Sequence, residues 1–256
     1  MSNFGYRVLG FGAGGRTITP YVSATGGNTT ITDGNYKIHV FTGDGTLAVA
    51  NEGTPLGSNT VEYFVVAGGG PGGGKYRGAG AGGGGWRTNY PSPATGGLAI
   101  AFQSYPVQVG AGGGSPPNRG SAATPSIFST ITSTRGGGHG QPRRSGCGTN
   151  GSPGFTTPAG SGGNGSGIST SFFGPTAPSY GTPGPSGSNR YFSGGGAGGT
   201  YSPGSPGSGG YGGGGQTNSP SPANSGGGGG GGNTGAGCCS PGLGGSGFVA
   251  IRYKFQ

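Results

Sequence analysis

Apolar and polar residues alternate in short runs near both ends of the chain. Tyr36, Ile38 and Val40 alternate with Lys37 and His39 and run into Phe41, a period of two that predicts a strand. Thr42-Gly-Asp-Gly-Thr46 follows and predicts a hairpin, because Asp44-Gly45 supports positive φ; Leu47 and Val49 continue on its far side. Val61, Tyr63, Phe64, Val65 and Val66 are apolar on both faces, which predicts a strand covered on both sides. Leu98, Ile100 and Phe102 alternate, as do Tyr105, Val107 and Val109, and Ile127-Phe128 opens a shorter run. The chain closes with Phe248 to Phe255. There Val249, Ile251, Tyr253 and Phe255 face one side and Arg252 and Lys254 the other. A terminal strand of that quality needs a sheet to join.

From Gly136 to Gly245 the pattern predicts neither strand nor helix, and no amphipathic helix is visible anywhere. The expected fold is all-β: a small antiparallel body formed by both chain ends, with Gly-rich excursions mainly at 68–97, 110–125 and 136–245. Residues 1–27 read as an N-terminal leader or docking segment and 28–256 as the domain.

Composition sharpens this picture. Of 256 residues, 74 are Gly and 21 Pro, which without a Gly-X-Y period normally indicates disorder. The strand-like ends and an aromatic content of 10% argue against disorder throughout. An ordered glycine costs roughly 0.5–1 kcal/mol relative to Ala, so a glycine-rich fold must recover that cost from close backbone approach. Segments packed as polyglycine-II-like helices would do so, because helices without side chains can touch and exchange N–H to C=O bonds. A weak repeat agrees with rods joined by stiff turns: Gly82–Gly85 leads to Thr88-Asn-Tyr-Pro-Ser-Pro-Ala94, and Gly212–Gly215 to Thr217-Asn-Ser-Pro-Ser-Pro-Ala223.

The net charge is +9, unevenly spread. All four acids lie between Asp33 and Glu62, and the ten bases beyond Glu62 have no acid among them. Such a stretch favours anionic partners, or serves solubility. RGG-type spacing is sporadic, so nucleic acid is not an expected partner. The first residues lack a signal-peptide core, and no apolar run approaches a membrane span. Synthesis in a cytoplasm without membrane insertion is expected. Cys147, Cys238 and Cys239 form no disulfide framework.

Motifs that look chemical fail on context. Gly10-Phe-Gly-Ala-Gly-Gly15, with Asp33 beyond it, matches a dinucleotide fingerprint, but Arg16-Thr-Ile-Thr-Pro20 opens no helix. Gly69 to Lys75 matches GxxxxGK, but Tyr76 stands where a P-loop needs Ser or Thr. His139 with the three cysteines can be drawn as a zinc site, at spacings that fit no signature. The expectation is a protein that is not an enzyme and takes no cofactor and no metal.

The Tyr36–Val40 strand, Val61–Ala67 running into Gly68-Gly-Gly, Tyr105–Gly113, and Gly244–Tyr253 occur together here. In that combination the chain resembles the glycine-rich domain of bacteriophage tail fibre and other virion proteins. It has a more distant likeness to T-even-like fibre-tip adhesins, whose glycine motifs form a polyglycine-II sandwich with receptor-binding loops at one end. The resemblance implies a virion structural protein, assembled in the host cytoplasm and released by lysis. It acts as a tail fibre or adhesin component, or as a passive part of the fibre or capsid surface. Its implied partners are other virion proteins and a bacterial surface glycan or outer-membrane receptor, with a homo-oligomer among the expected assemblies. The candidate receptor residues are Trp86, Arg87 and Tyr90 in one cluster and Tyr180, Arg190, Tyr191 and Phe192 in a second. Aromatic faces with Arg suit sugar rings and anionic glycans. The bland alternative is that these rings cap the glycine rods.

Overall fold

A computed structural model describes residues 19–74, 78–91, 97–114, 121–138, 160–200, 205–232 and 241–256. Its secondary structure is almost entirely antiparallel β, as expected, in three sheets. The first sheet orders β1 (Val22–Thr25), β4 (Gly45–Glu52), β8 (Ser104–Gln108), β9 (Ser126–Phe128) and β10 (Ile131–Ser133). The second orders β2 (Thr29–Asp33), β3 (Tyr36–Phe41), β14 (Phe248–Lys254), β5 (Thr60–Val66) and β6 (Trp86–Thr88), with β7 (Leu98–Ala99) also on β5. The third orders β11 (Ser166–Ser169), β13 (Asn189–Phe192) and β12 (Thr182–Pro183).

The second sheet is the middle layer, and strand alternation explains why. Val61 and Val65 of β5 and Val249, Ile251 and Tyr253 of β14 meet Leu47, Val49, Val107 and Phe128 of the first sheet. Phe64, Val66, Phe248 and Ala250 point the other way, onto Ile168, Phe172, Phe173 and Phe192. The two-sided apolar pattern of β5 therefore reports a strand with a core on each face. The second core is built from rings in edge and tilted contact. Phe64 stands 4.9 Å from Phe192 at 70°, and Phe172 4.9 Å from Phe173 at 77°.

Three expectations are corrected. β3 and β4 do not form a hairpin: β3 pairs with β2 and β14, and β4 with β1 and β8, so Thr42–Asp44 crosses between sheets. Asp44 Oδ1 instead accepts the Val109 N–H at 2.8 Å. Residues 22–25, placed in the leader, are a strand because Val22 and Ala24 alternate with Ser23 and Thr25 and are buried on the first core. Between Gly136 and Gly245 the third sheet appears with two short 3-10 segments, Thr170–Phe172 and Gly174–Ser179. This region supplies Phe172, Phe173 and Phe192 to the second core.

A buried polar group joins the first two sheets. β1 is irregular between Ser23 and Ala24, and the Tyr253 hydroxyl accepts from Ala24 N at 3.1 Å and lies 3.2 Å from Ala24 O. His39 Nδ1 lies 2.7 Å from the Gly26 carbonyl, which can only accept, so this nitrogen carries a proton; Nε2 lies 3.0 Å from the Tyr253 hydroxyl. Burial pushes the Tyr253 hydroxyl up to about 12. Burial, reinforced by nearby Lys37, lowers the His39 pKa below its usual 6.5, against the hydrogen bond to Gly26.

The glycine segments leave the β body and return to it. They bond to each other side by side, and the bonds step by three residues. Gly229 and Gly232 donate to Gly70 and Gly73, while Gly228 and Gly231 donate to Gly194 and Ala197. The carbonyls of Gly226, Gly229 and Gly232 accept from Gly84, Ala81 and Gly78. Those of Gly228 and Gly231 accept from Gly215 and Asn218, and those of Gly227 and Gly230 from Gly245 and Gly242. Segment 226–232 is thus enclosed by segments 68–74, 78–85, 194–200, 212–218 and 241–247, and is buried throughout. Three-residue spacing is what a helix of three residues per turn presents to its neighbours.

Candidate binding surface

The first predicted cluster sits where the chain re-enters the middle sheet. Gly85 ends a glycine segment and Trp86 begins β6, whose partner is the Phe64–Val66 end of β5. Trp86 is half-buried against the second core, 6.4 Å from Phe64. Arg87 Nη1 donates to the Trp86 carbonyl at 2.9 Å. Tyr90 stands edge-on to Phe172 at 5.2 Å, its hydroxyl 2.7 Å from Ser171 Oγ. Beside it Arg252 is paired with Glu62 and lies over Tyr36, 3.6 Å from the ring centroid, with Tyr90 at 5.5 Å.

The second cluster divides. Phe192 is 0% exposed, in contact with Phe64, Phe173 and Phe248. Its candidacy as a receptor contact is corrected: it is a core residue, because alternation along β13 turns it inward. Tyr180 packs on Phe173 and Phe248 at 5.0 and 5.4 Å, and burial raises its pKa. Arg190 spends its guanidinium on carbonyls: Nε on Tyr180 at 2.6 Å, and Nη2 on Gly181 at 2.9 Å and Pro178 at 3.2 Å. Tyr191 faces outward, beside Tyr211 at 6.1 Å. Sequence reasoning passed over Tyr211, a lone ring between glycines, yet it is 45% exposed. Among the described residues Leu56, on the loop from β4 to β5, and Phe102, on the loop from β7 to β8, are also well exposed.

The distinguishing geometry is therefore the main-chain bundle itself. A family model described as a glycine-rich domain matches residues 44–254. The chain belongs to the glycine-rich domain family. None of the curated proteins matches it.

In this glycine-rich domain the amides of Gly69, Gly70, Gly72 and Gly73 all donate to carbonyls, of Gly245, Gly82, Gly242 and Ala79. The P-loop-like stretch thus has its donors committed to the bundle. Gly10–Gly15, His139, Cys147, Cys238 and Cys239 lie outside the described residues. The inner ends of the glycine segments are tied at the sheets, by Ala67 to Gly85, Gly84 to Gly226, Ser193 to Ser225 and Gly247 to Gly110. Their outer ends are tied to each other, by Gly73 to Ala79, Gly199 to Gly78, Gly232 to Gly73 and Gly198 to Gly160. The glycine segments are interrupted along the sequence after Gly74, Gly114, Gly138, Thr200 and Gly232. The intervening segments, outside the described residues, contain Lys75, Arg77, Arg119, Arg143 and Arg144 and no acid. Among the described residues no helix is long and apolar enough to cross a membrane.

Proposed function

We propose that this glycine-rich domain is a virion structural protein of a bacteriophage, a tail fibre or adhesin component that binds the host cell surface. Its glycine segments are read as polyglycine-II-like helices, which the three-residue step of their hydrogen bonds supports. One observation carries the functional reading: the glycine segments leave the sheets and bond to one another, and the sequences that interrupt them contain Lys75, Arg77, Arg119, Arg143 and Arg144 and no acid. The main chain supplies a stiff pedestal, and the interrupting sequences supply charged side chains. The rings first proposed as contacts are mostly committed to the second core, which moves the candidate contact surface to the outer end of the bundle. Phosphate-bearing or acidic surface polysaccharide suits its charge.

The test is binding of labelled protein to a panel of Gram-negative and cyanobacterial cells. A variant with residues 139–159 replaced by a Gly-Ser linker of equal length runs beside it. Saturable, strain-restricted binding that the variant loses is expected. Absence of binding to every strain would replace this reading with the second one, a passive fibre or capsid-surface component that contacts only other virion proteins. The exposure of Leu56 and Phe102 at the end away from the bundle favours a protein contact there in either case.

A further inference from the structure

We propose that Tyr191 and Tyr211 form a stacking platform for a neutral sugar ring on the outer face of the third sheet, a site distinct from the outer end of the bundle. It deepens the cell-surface reading and rests on it for its biological setting. β13 is the central strand of that sheet, and alternation sends Phe192 into the core and Tyr191 out. The strand on one side places Gly167 opposite Tyr191, and the strand on the other runs through Pro183 into Gly184. A Cβ at Gly184 would stand 2.1 Å from Tyr191 Cε2, and one at Gly167 3.2 Å from its Cε1. The ring therefore lies across the sheet, from one neighbouring strand to the other, on main chain that carries no side chain. Gly184 is needed for this posture, and a side chain at Gly167 would press the ring by a few tenths of an ångström.

Tyr211 completes the surface, its ring tilted 49° to that of Tyr191. Its backbone is held: its N–H donates to Asn164 Oδ1 at 3.1 Å, its carbonyl accepts from Gly165, and Gly212 N–H donates to Thr182 Oγ1 at 2.7 Å. Two part-exposed tyrosine rings on fixed backbone make a shallow angle that a pyranose can enter, its C–H face on one ring and its hydroxyls reaching the phenol groups. Such rings give contact area at little entropy cost. The ligand is a neutral sugar because Arg190, the adjacent cation, is held by three carbonyls behind the sheet.

The experiment uses the full chain, with saturation-transfer NMR and calorimetry against maltohexaose and chitotetraose as neutral probes and tetragalacturonate as the anionic one. Binding of at least one neutral probe is expected. Tyr191→Ser and Tyr211→Ser should each weaken it tenfold or more, with unchanged thermal unfolding. Gly184→Val keeps both rings but lifts Tyr191 off the sheet, and should weaken binding equally; Tyr21→Ser should leave it unchanged. The proposal is overturned if neither neutral probe binds, if the anionic probe binds best, or if both tyrosine variants bind within twofold of the parent. Oligosaccharide binding by a protein that binds no cells would leave the platform standing and remove the cell-surface reading. Strain-restricted cell binding by a protein that binds neither neutral probe would do the reverse.

Discussion

A methyl group at Gly229 would stand 2.0 Å from the carbonyl oxygen of Gly242, and one at Gly230 still closer to that of Gln216. Neither obstacle is the end of a flexible side chain; both are main chain already fixed by hydrogen bonds. Gly229→Ala should therefore cost about 3 kcal/mol or more, at or above the upper end of ordinary overpacking. Gly137→Ala, where an added Cβ meets nothing within 4 Å, should change stability by less than about 0.5 kcal/mol. Urea unfolding of the two variants compares them directly. His39 makes the other prediction at this scale. Because the fold lowers its pKa below 6.5, the folded state holds the neutral ring. Its contribution is complete above about pH 6.5 and is lost as pH falls below that. Unfolding free energy should thus fall between pH 7 and 5, and His39→Gln, weaker at pH 7, should lose less over that interval.

At the scale of elements, the third sheet and its 3-10 segments stay on the middle sheet through one aromatic cluster. Phe192→Ala should remove about 3–5 kcal/mol and expose Trp86, whose fluorescence would shift to the red in the folded variant. Strands β3, β5, β8 and β14 were legible because their alternation is strong and their residues β-branched or aromatic. β11 and β12 were not: Ser-Gly-Ile-Ser and Thr-Pro carry too little apolar content for a period to show. The false hairpin at Asp44 has a different cause. Two alternating runs around Asp-Gly satisfy the local rule, and only the packing of Phe41 and Leu47 in one core from opposite sheets decides otherwise. The resemblance to fibre adhesins puts the aromatic clusters at the surface, in turns between glycine rods. Segments packed this closely have no room for rings, so rings next to them are driven into the sheet cores, as Trp86 and Phe192 are.

Over the whole molecule, two kinds of order meet at one boundary. Below it, side chains fill two cores between three sheets. Above it, specificity resides in N–H and C=O groups that every residue has, arranged in a repeat of three. Deleting Gly229 alone would turn every later donor of its segment toward the wrong neighbour, and loss of cooperative unfolding is expected. Deleting Gly228, Gly229 and Gly230 together keeps the phase. That variant should still unfold in one transition, at lower temperature, which calorimetry would register.

The same repeat constrains how such a chain can change over generations. Length along the bundle is quantised: a segment can gain or lose whole triplets but not single residues. On the proposed reading of these segments as polyglycine-II-like helices, each added triplet carries the outer end about 9 Å farther from the sheets, at a rise of ~3.1 Å per residue. Reach is therefore inherited in discrete increments.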